Sequence, residues 1–263
     1  NCCMLRSRVR ADYDLRGPRP LLSLHGSVRA GDSVTVSVAL RDPTAAFLDA
    51  FAEVLRERGI EIAAGVRTDT IADTTDLLTL ATRVSPPLPA VLAAFQKPSQ
   101  NQIGEILLRT LGREKTGVGT ADSGLVVVRR QLAAWGIDSS MAVVRDGSGL
   151  SRHNFLAPEA IVRLLDLMRQ RSDFDAYFQS LPLAGVEGTL RERARGSLAA
   201  GNARAKTGTL DKARALSGYV STADGQLLLF SMLANNHTVP TREVERVQDA
   251  LLAWMAGMSL RLR

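Results

Sequence analysis

Ala203-Arg204-Ala205-Lys206-Thr207-Gly208-Thr209-Leu210 reads as an extended segment, and two further strand-like runs follow it at residues 215–222 and 226–234. Asp224-Gly225 supplies the hairpin turn between those two runs. A helical pattern from about residue 241 to 255 closes the chain. Strands beside a C-terminal helix predict an α+β fold, with helices packed on an antiparallel sheet. Within the first strand, Lys206-Thr207-Gly208 sets an ammonium and a hydroxyl side by side, suited to a carboxylate. The glycine lets a second backbone approach the strand closely. The chain has four lysines, at positions 97, 115, 206 and 212, and arginine carries most of its positive charge. Lys206 is therefore not part of a general basic background. The tripeptide alone does not define a site, because Lys115-Thr116-Gly117 repeats it. That copy lies between Gly112 and Gly119 with no strand after it, and reads as a loop.

Upstream, residues 4–10 and 21–42 alternate like strands, with Gly31-Asp32 as the expected turn of a 21–29/33–40 hairpin. Asp42-Pro43-Thr44 starts a helix whose apolar face is Leu48, Phe51 and Leu55, and Gly59 stops it. Residues 60–63 read as a short strand. The polar run 68–76 is the expected boundary, giving a small β-rich piece at 1–72 and a larger domain at 73–263. The larger domain opens with an apolar strand at 77–84. Helices then follow to Lys97, from about 101 to Gly112, and from 122 to 135. A strand at 141–144 runs into the turn-rich Asp146–Asn154 string, and Pro158 starts another helix with Ile161, Leu165 and Met168 inward.

Composition excludes several classes. With 263 residues, 45% hydrophobic and 23% charged, the chain can bury an ordinary core. The net charge of +6 is spread over scattered arginines without a basic run, so no nucleic-acid partner is expected. A basic surface equally suits an anionic polymer. Cys2 and Cys3 are adjacent and make neither a disulfide framework nor a zinc site, and His25, His153 and His237 show no metal-ligand spacing. The longest apolar run, 227–234, is too short to span a bilayer. The chain opens on Asn1, so either a removed signal segment or a longer protein is expected, and what reads as a strand entered in mid-course favours the longer protein.

Two other clusters carry polar chemistry. Ser99-Gln100-Asn101 offers a hydroxyl that can pass a proton and an amide that can hold a lysine or a carbonyl. The same residues with Gln102 also fit a capping box, Ser99 being the N-cap. In Asp146-Gly147-Ser148-Gly149-Leu150-Ser151-Arg152-His153-Asn154, small residues lead to a guanidinium suited to a carboxylate, or simply connect a strand to a helix.

Taken together, Pro98–Asn101, Asp146–Asn154, Leu181–Gly185 and Ala205–Thr209 resemble, in order and spacing, the D-alanyl-D-alanine carboxypeptidase/endopeptidase family of low-molecular-mass class C penicillin-binding proteins. The resemblance runs from about residue 40 to the C-terminus. It implies a β-lactamase/transpeptidase-like fold interrupted by inserted domains, with 1–72 the tail of a β-rich insertion and 73–263 the C-terminal part of the catalytic domain. Ser99, Asn101 and Lys206 would be catalytic. Thr207, Gly208 and Thr209, the last lending its N–H to an oxyanion hole, would bind substrate together with Ser148, Leu150 and Arg152. Substrates would be peptidoglycan peptide stems, β-lactams would bind the same pocket, no metal or organic cofactor would be needed, and the protein would act in the periplasm or cell envelope. The family's nucleophile comes from a Ser-x-x-Lys element, and no serine here has a lysine three residues on. The resemblance therefore implies a partner, the missing N-terminal segment of the same protein, without which the chain is expected to be inactive. A wall-binding or scaffold protein of the same fold is the alternative.

Overall fold

The computed structural model describes residues 7–14, 21–66 and 78–259. The expected boundary at 72/73, the cysteine pair and the start of the 77–84 run lie outside them. By proximity of its parts the chain divides into Asn1–Ala81 and Thr82–Arg263.

In the first unit, β1 (Arg8–Asp14) pairs antiparallel with β2 (Leu21–Ser27), from Arg8 opposite Ser27 to Asp14 opposite Leu21. The turn at Gly31 forms, with the Asp32 N–H donating to Arg29 O at 2.9 Å. Residues 33–40 are nevertheless unpaired, which overturns the expected hairpin: β2 takes β1 as its partner instead. Ser7 fixes this choice, its hydroxyl donating to the Asp32 carboxylate at 2.7 Å and accepting the Arg29 N–H at 2.9 Å. Helix α1 (Pro43–Glu57) starts where its caps predict, with the Asp42 carboxylate accepting from Ala45 N–H at 2.9 Å. Its apolar side is only partly covered. Phe47 and Phe51 stack at 6.0 Å yet are 66% and 51% exposed, and Ala52 is the buried residue. Residues 60–63 form no strand, and neither do 78–84, where Leu78, Leu80 and Val84 stand exposed. Alternation marks a segment able to pair, and these two find no partner among the described residues.

The second unit opens with α2 (Leu88–Gln96), α3 (Asn101–Thr116) and α4 (Ala121–Ala134). Gly112 does not end α3, as its position suggested. It is buried against α4, where a methyl group would lie 2.8 Å from Gly124 N. Lys115 and Thr116 are consequently the last turn of α3 with Gly117 as its left-handed cap, a helix terminus and not the expected loop. Strands β3 (Ala142–Val143) and β4 (Phe155–Leu156) make a short ladder, followed by α5 (Pro158–Arg169) and α6 (Phe174–Ser180).

The main sheet is β5 (Arg204–Leu210), β6 (Ala213–Ser221) and β7 (Leu227–Asn235), antiparallel in that order, and α7 (Thr241–Gly257) ends the described fold. Alternation sorts its residues onto two faces. Ala205, Leu216, Val220 and Phe230 bury against Leu252 and Ala256 of α7. On the opposite face Tyr219 packs with Leu165, Leu181 and Phe174, its ring edge-on to Phe174 at 5.4 Å and its hydroxyl donating to Leu165 O at 2.7 Å. The expected sheet between helices is thus present.

Candidate active site

The pleat that buries Tyr219 also fixes Lys206, which lies opposite Ser217, itself opposite Ser231. These three share the α5/α6 face, and the two serine hydroxyls meet at 2.9 Å. The Lys206 ammonium donates to Ser99 Oγ at 2.6 Å and to Thr207 O at 2.8 Å. Burial pushes the Lys206 ammonium down from its ordinary value of 10.5 to about 8.

Ser99 is not the N-cap of α3. Gln100 holds that position without a side-chain cap, and no capping box forms. Ser99 instead adopts φ +60°, the left-handed region in which non-glycine residues are uncommon. Gln100 N–H reaches back to Phe95 O at 2.9 Å, the long closure of a helix that ends on a left-handed residue. Ser99 therefore occupies a place where glycine is usual, at a cost of order 1–3 kcal/mol for such strained backbone. The strained residue thus holds its hydroxyl against the ammonium of another element. Upstream, the buried Gln96 donates to Ser180 Oγ at 2.8 Å and anchors this end of α2 to α6. Asn101 begins α3 with an exposed side chain, and no hydrogen bond joins it to Ser99 or Lys206.

The Asp146–Asn154 string folds around its first carboxylate. Asp146 accepts from Gly149 N–H at 2.8 Å, Ser151 N–H at 2.6 Å, Asn154 Nδ2 at 2.9 Å and Ser148 Oγ at 3.3 Å. Burial alone would raise its carboxyl, and these donors outweigh that and hold it below the usual range. Glu105 of α3 binds the loop from outside, accepting Gly147 N–H at 3.1 Å and Ser148 N–H at 3.0 Å. Gly104 and Gly147 make this approach possible, since a Cβ on Gly104 would fall 2.4 Å from Gly147 O. Leu150 is half exposed, and Arg152 reaches across to Asp211 O at 3.3 Å.

A cavity of about 740 Å³ lies over the α5-side face where β5 turns into β6. Gly208, Thr209 and Arg152 border it, with Gly149, Ser151 and Leu233. Ser148 and Leu150 do not line it, and neither do Ser99, Asn101, Lys206 and Thr207. The structure thus joins Ser99 to Lys206 directly and places Gly208, Thr209 and Arg152 around one adjoining hollow. Among the described residues, no cluster of three or more His, Cys, Asp or Glu side chains is placed to hold a metal ion, and no helix is long and apolar enough to cross a membrane. Thr189, which accepts the Thr207 hydroxyl at 2.8 Å, escaped the sequence reading, although the Leu181–Gly185 stretch stops just short of it.

A strained serine held by a lysine from the edge strand of an antiparallel sheet, with helices on both faces, defines an α+β fold of the penicillin-binding class. The chain belongs to the D-Ala-D-Ala carboxypeptidase 3 (S13) family, whose profile matches residues 15–258. It is 36% identical to a D-alanyl-D-alanine carboxypeptidase of an Actinomadura species over 242 residues, 89% of this chain and 44% of that protein. It is 32% identical to the D-alanyl-D-alanine carboxypeptidase DacB of Haemophilus influenzae over 164 residues, 60% of this chain and 34% of that protein. In fold it matches penicillin-binding protein 4 (dacB) of Haemophilus influenzae, solved in complex with a β-lactam. The TM-score is 0.74 at 24% identity, covering 96% of this chain and 59% of that one. The chain spans less than half the length of these two curated relatives.

Proposed function

We propose that this chain contributes the Ser-x-Asn and Lys-Thr-Gly side of a serine DD-peptidase that cleaves D-Ala-D-Ala in peptidoglycan peptide stems. The observation that carries the reading is the 2.6 Å contact between Lys206 and Ser99, which joins the two motifs into one site. The acylating serine and its lysine come from a Ser-x-x-Lys element in the missing N-terminal segment. That serine attacks the amide carbonyl, the terminal D-alanine leaves as an amine, and water hydrolyses the resulting ester. Ser99 passes a proton toward the leaving amine, and Lys206 keeps its hydroxyl polarised. Lys206, Thr207 and Thr209 receive the terminal carboxylate, and Gly208 lets the substrate backbone lie along β5. Asn101 faces the substrate carbonyl, and Ser148, Leu150 and Arg152 border the stem. β-Lactams occupy the same place. Residues 1–72 are read as the tail of an inserted β-rich domain, 73–263 as catalytic domain, and the periplasm or cell envelope as the working compartment.

The test is labelling by a fluorescent penicillin, followed by peptide mass mapping. The full-length gene product is expected to carry the label on a serine outside the 263-residue sequence and to release D-alanine from a D-Ala-D-Ala peptide, while the chain alone carries none. A label on Ser99 would overturn its role. A full-length protein that neither labels nor hydrolyses would favour a wall-binding protein of the same fold.

A further inference from the structure

We infer that Glu187 and Thr189 are positioning residues, and that the Glu187-Gly188-Thr189 segment clamps the Ser99 bend to the Lys206-Thr207 strand. The inference rests on the site proposed above and adds residues that site did not include. On one side the segment grips the residue two before Ser99. The Lys97 ammonium donates to Glu187 Oε2 at 2.9 Å, and Thr189 N–H donates to Lys97 O at 3.0 Å. Gly188 sits between them at φ +61°, and a Cβ there would meet Lys97 O at 2.5 Å. Only glycine allows that approach. On the other side the segment grips both flanks of Lys206. Glu187 Oε1 accepts Arg204 Nη1 at 3.3 Å, and Thr189 Oγ1 accepts the Thr207 hydroxyl at 2.8 Å.

The anchors are themselves held. Arg204 also donates to Leu181 O at 3.0 Å and lies over the Phe178 ring at 5.5 Å, so its guanidinium has one available place. Burial would raise the Glu187 carboxyl, but its bonds to Lys97 and Arg204 keep it below the ordinary value, so it is an anion at neutral pH. The pairs are part-buried, the Arg204 side chain being 13% exposed, and they tie two separate elements to one carboxylate. Their consequence is geometric. A contact of 2.6 Å between groups 107 residues apart is lost if either element moves by about 1 Å, a displacement that typically removes most of a site's effect. Supporting groups of this kind hold reacting groups in other sites.

The 263-residue chain itself permits a test, because it contains only four lysines. With ¹⁵N-lysine labelling, each ammonium gives a resolvable signal whose midpoint is read by titration. Glu187→Gln removes the charge that binds Lys97 and Arg204 and preserves shape. If the clamp acts by position, water reaches Lys206 and its midpoint moves from about 8 toward 10.5. If Glu187 acts only as a nearby negative charge, its loss moves the midpoint the other way. Thr189→Val is expected to raise the midpoint as well, and Thr189→Ser, which keeps the hydroxyl, to restore it. Amide spectra check that each variant is folded, and the threonine pair retains the test should Glu187→Gln fail to fold. A midpoint unchanged or lowered in Glu187→Gln, or equal in Thr189→Val and Thr189→Ser, overturns the clamp. None of these readings depends on turnover, so a failed clamp is separable from a failed peptidase assignment, which penicillin labelling decides.

Discussion

Lys206 on β5 and Ser99 at the end of α2 meet at 2.6 Å, the ammonium donating to a hydroxyl whose own backbone is strained. An ammonium in that position is fully charged only below its depressed midpoint. At neutral pH it is mostly the cation that donates to Ser99, and near pH 8 about half of it is amine.

That depression predicts a pH dependence of stability. Between about 8 and 10.5 the unfolded chain binds a proton at Lys206 that the folded chain does not. Stability from this group therefore rises with pH across that window, is complete above the unfolded value, and is lost as pH falls toward 8. Lys206→Met should flatten this part of the curve. Urea unfolding at pH 7.5, 8.5 and 9.5 on both proteins measures it, and an identical slope in the two would contradict the burial of Lys206.

Ser99 should respond in opposite ways to two small substitutions. Ser99→Ala loses the Lys206 contact and keeps the left-handed strain, whereas Ser99→Gly loses the contact and relieves it. The glycine variant is expected to be the more stable of the two by about 1 kcal/mol. Chemical denaturation checks this, and equal stabilities would argue against the left-handed backbone.

The two Lys-Thr-Gly copies can be set against each other in the full-length protein. Lys206→Ala should slow acylation by a β-lactam about 10²–10³-fold, the usual loss for one oriented donor. Lys115→Ala, in an exposed last helical turn, should leave the rate unchanged and stability within about 0.5 kcal/mol. Stopped-flow acylation rates decide, and a larger loss at Lys115 would place the site elsewhere.

Tyr219→Phe tests the packing behind the site. It deletes the bond to Leu165 O while keeping the ring that Phe174 and Phe178 surround. The expected loss is about 1 kcal/mol in equilibrium unfolding. A loss several times larger would mean that the hydroxyl organises more than one carbonyl.

What the sequence made legible was local. The strands β5 to β7, the start of α1 and the start of α5 all follow from hairpin residues, caps and periodicity within a few positions. The strands expected at 33–40 and 60–63, and the described part, 78–84, of the one expected at 77–84, did not form, because alternation shows that a segment can pair but not which partner it finds. Residues 33–40 lost theirs to Arg8–Asp14, some twenty positions upstream. The capping-box reading of Ser99 failed for a related reason. Ser-Gln-Asn-Gln satisfies a local capping rule, yet the residue serves the end of the previous helix and a lysine far along the chain. Glu187 and Thr189 carried no pattern of their own. Their meaning is supplied by Lys97, Arg204 and Thr207, which only folding gathers.

Leu210 pairs with Ala213 across a turn of just two residues, Asp211 and Lys212. Length in this hairpin is thereby coupled to chemistry, much as a reading frame couples letters to words. One residue inserted between Lys206 and the turn would leave a ladder of equal quality, yet it would rotate the ammonium from the cavity side into the Leu216 layer against α7. Unless a bulge absorbed the change, insertions or deletions here could be tolerated only in pairs. Descendants of this chain that alter their substrate preference are therefore expected to do so by exchanging side chains along β5, and to keep its count of residues.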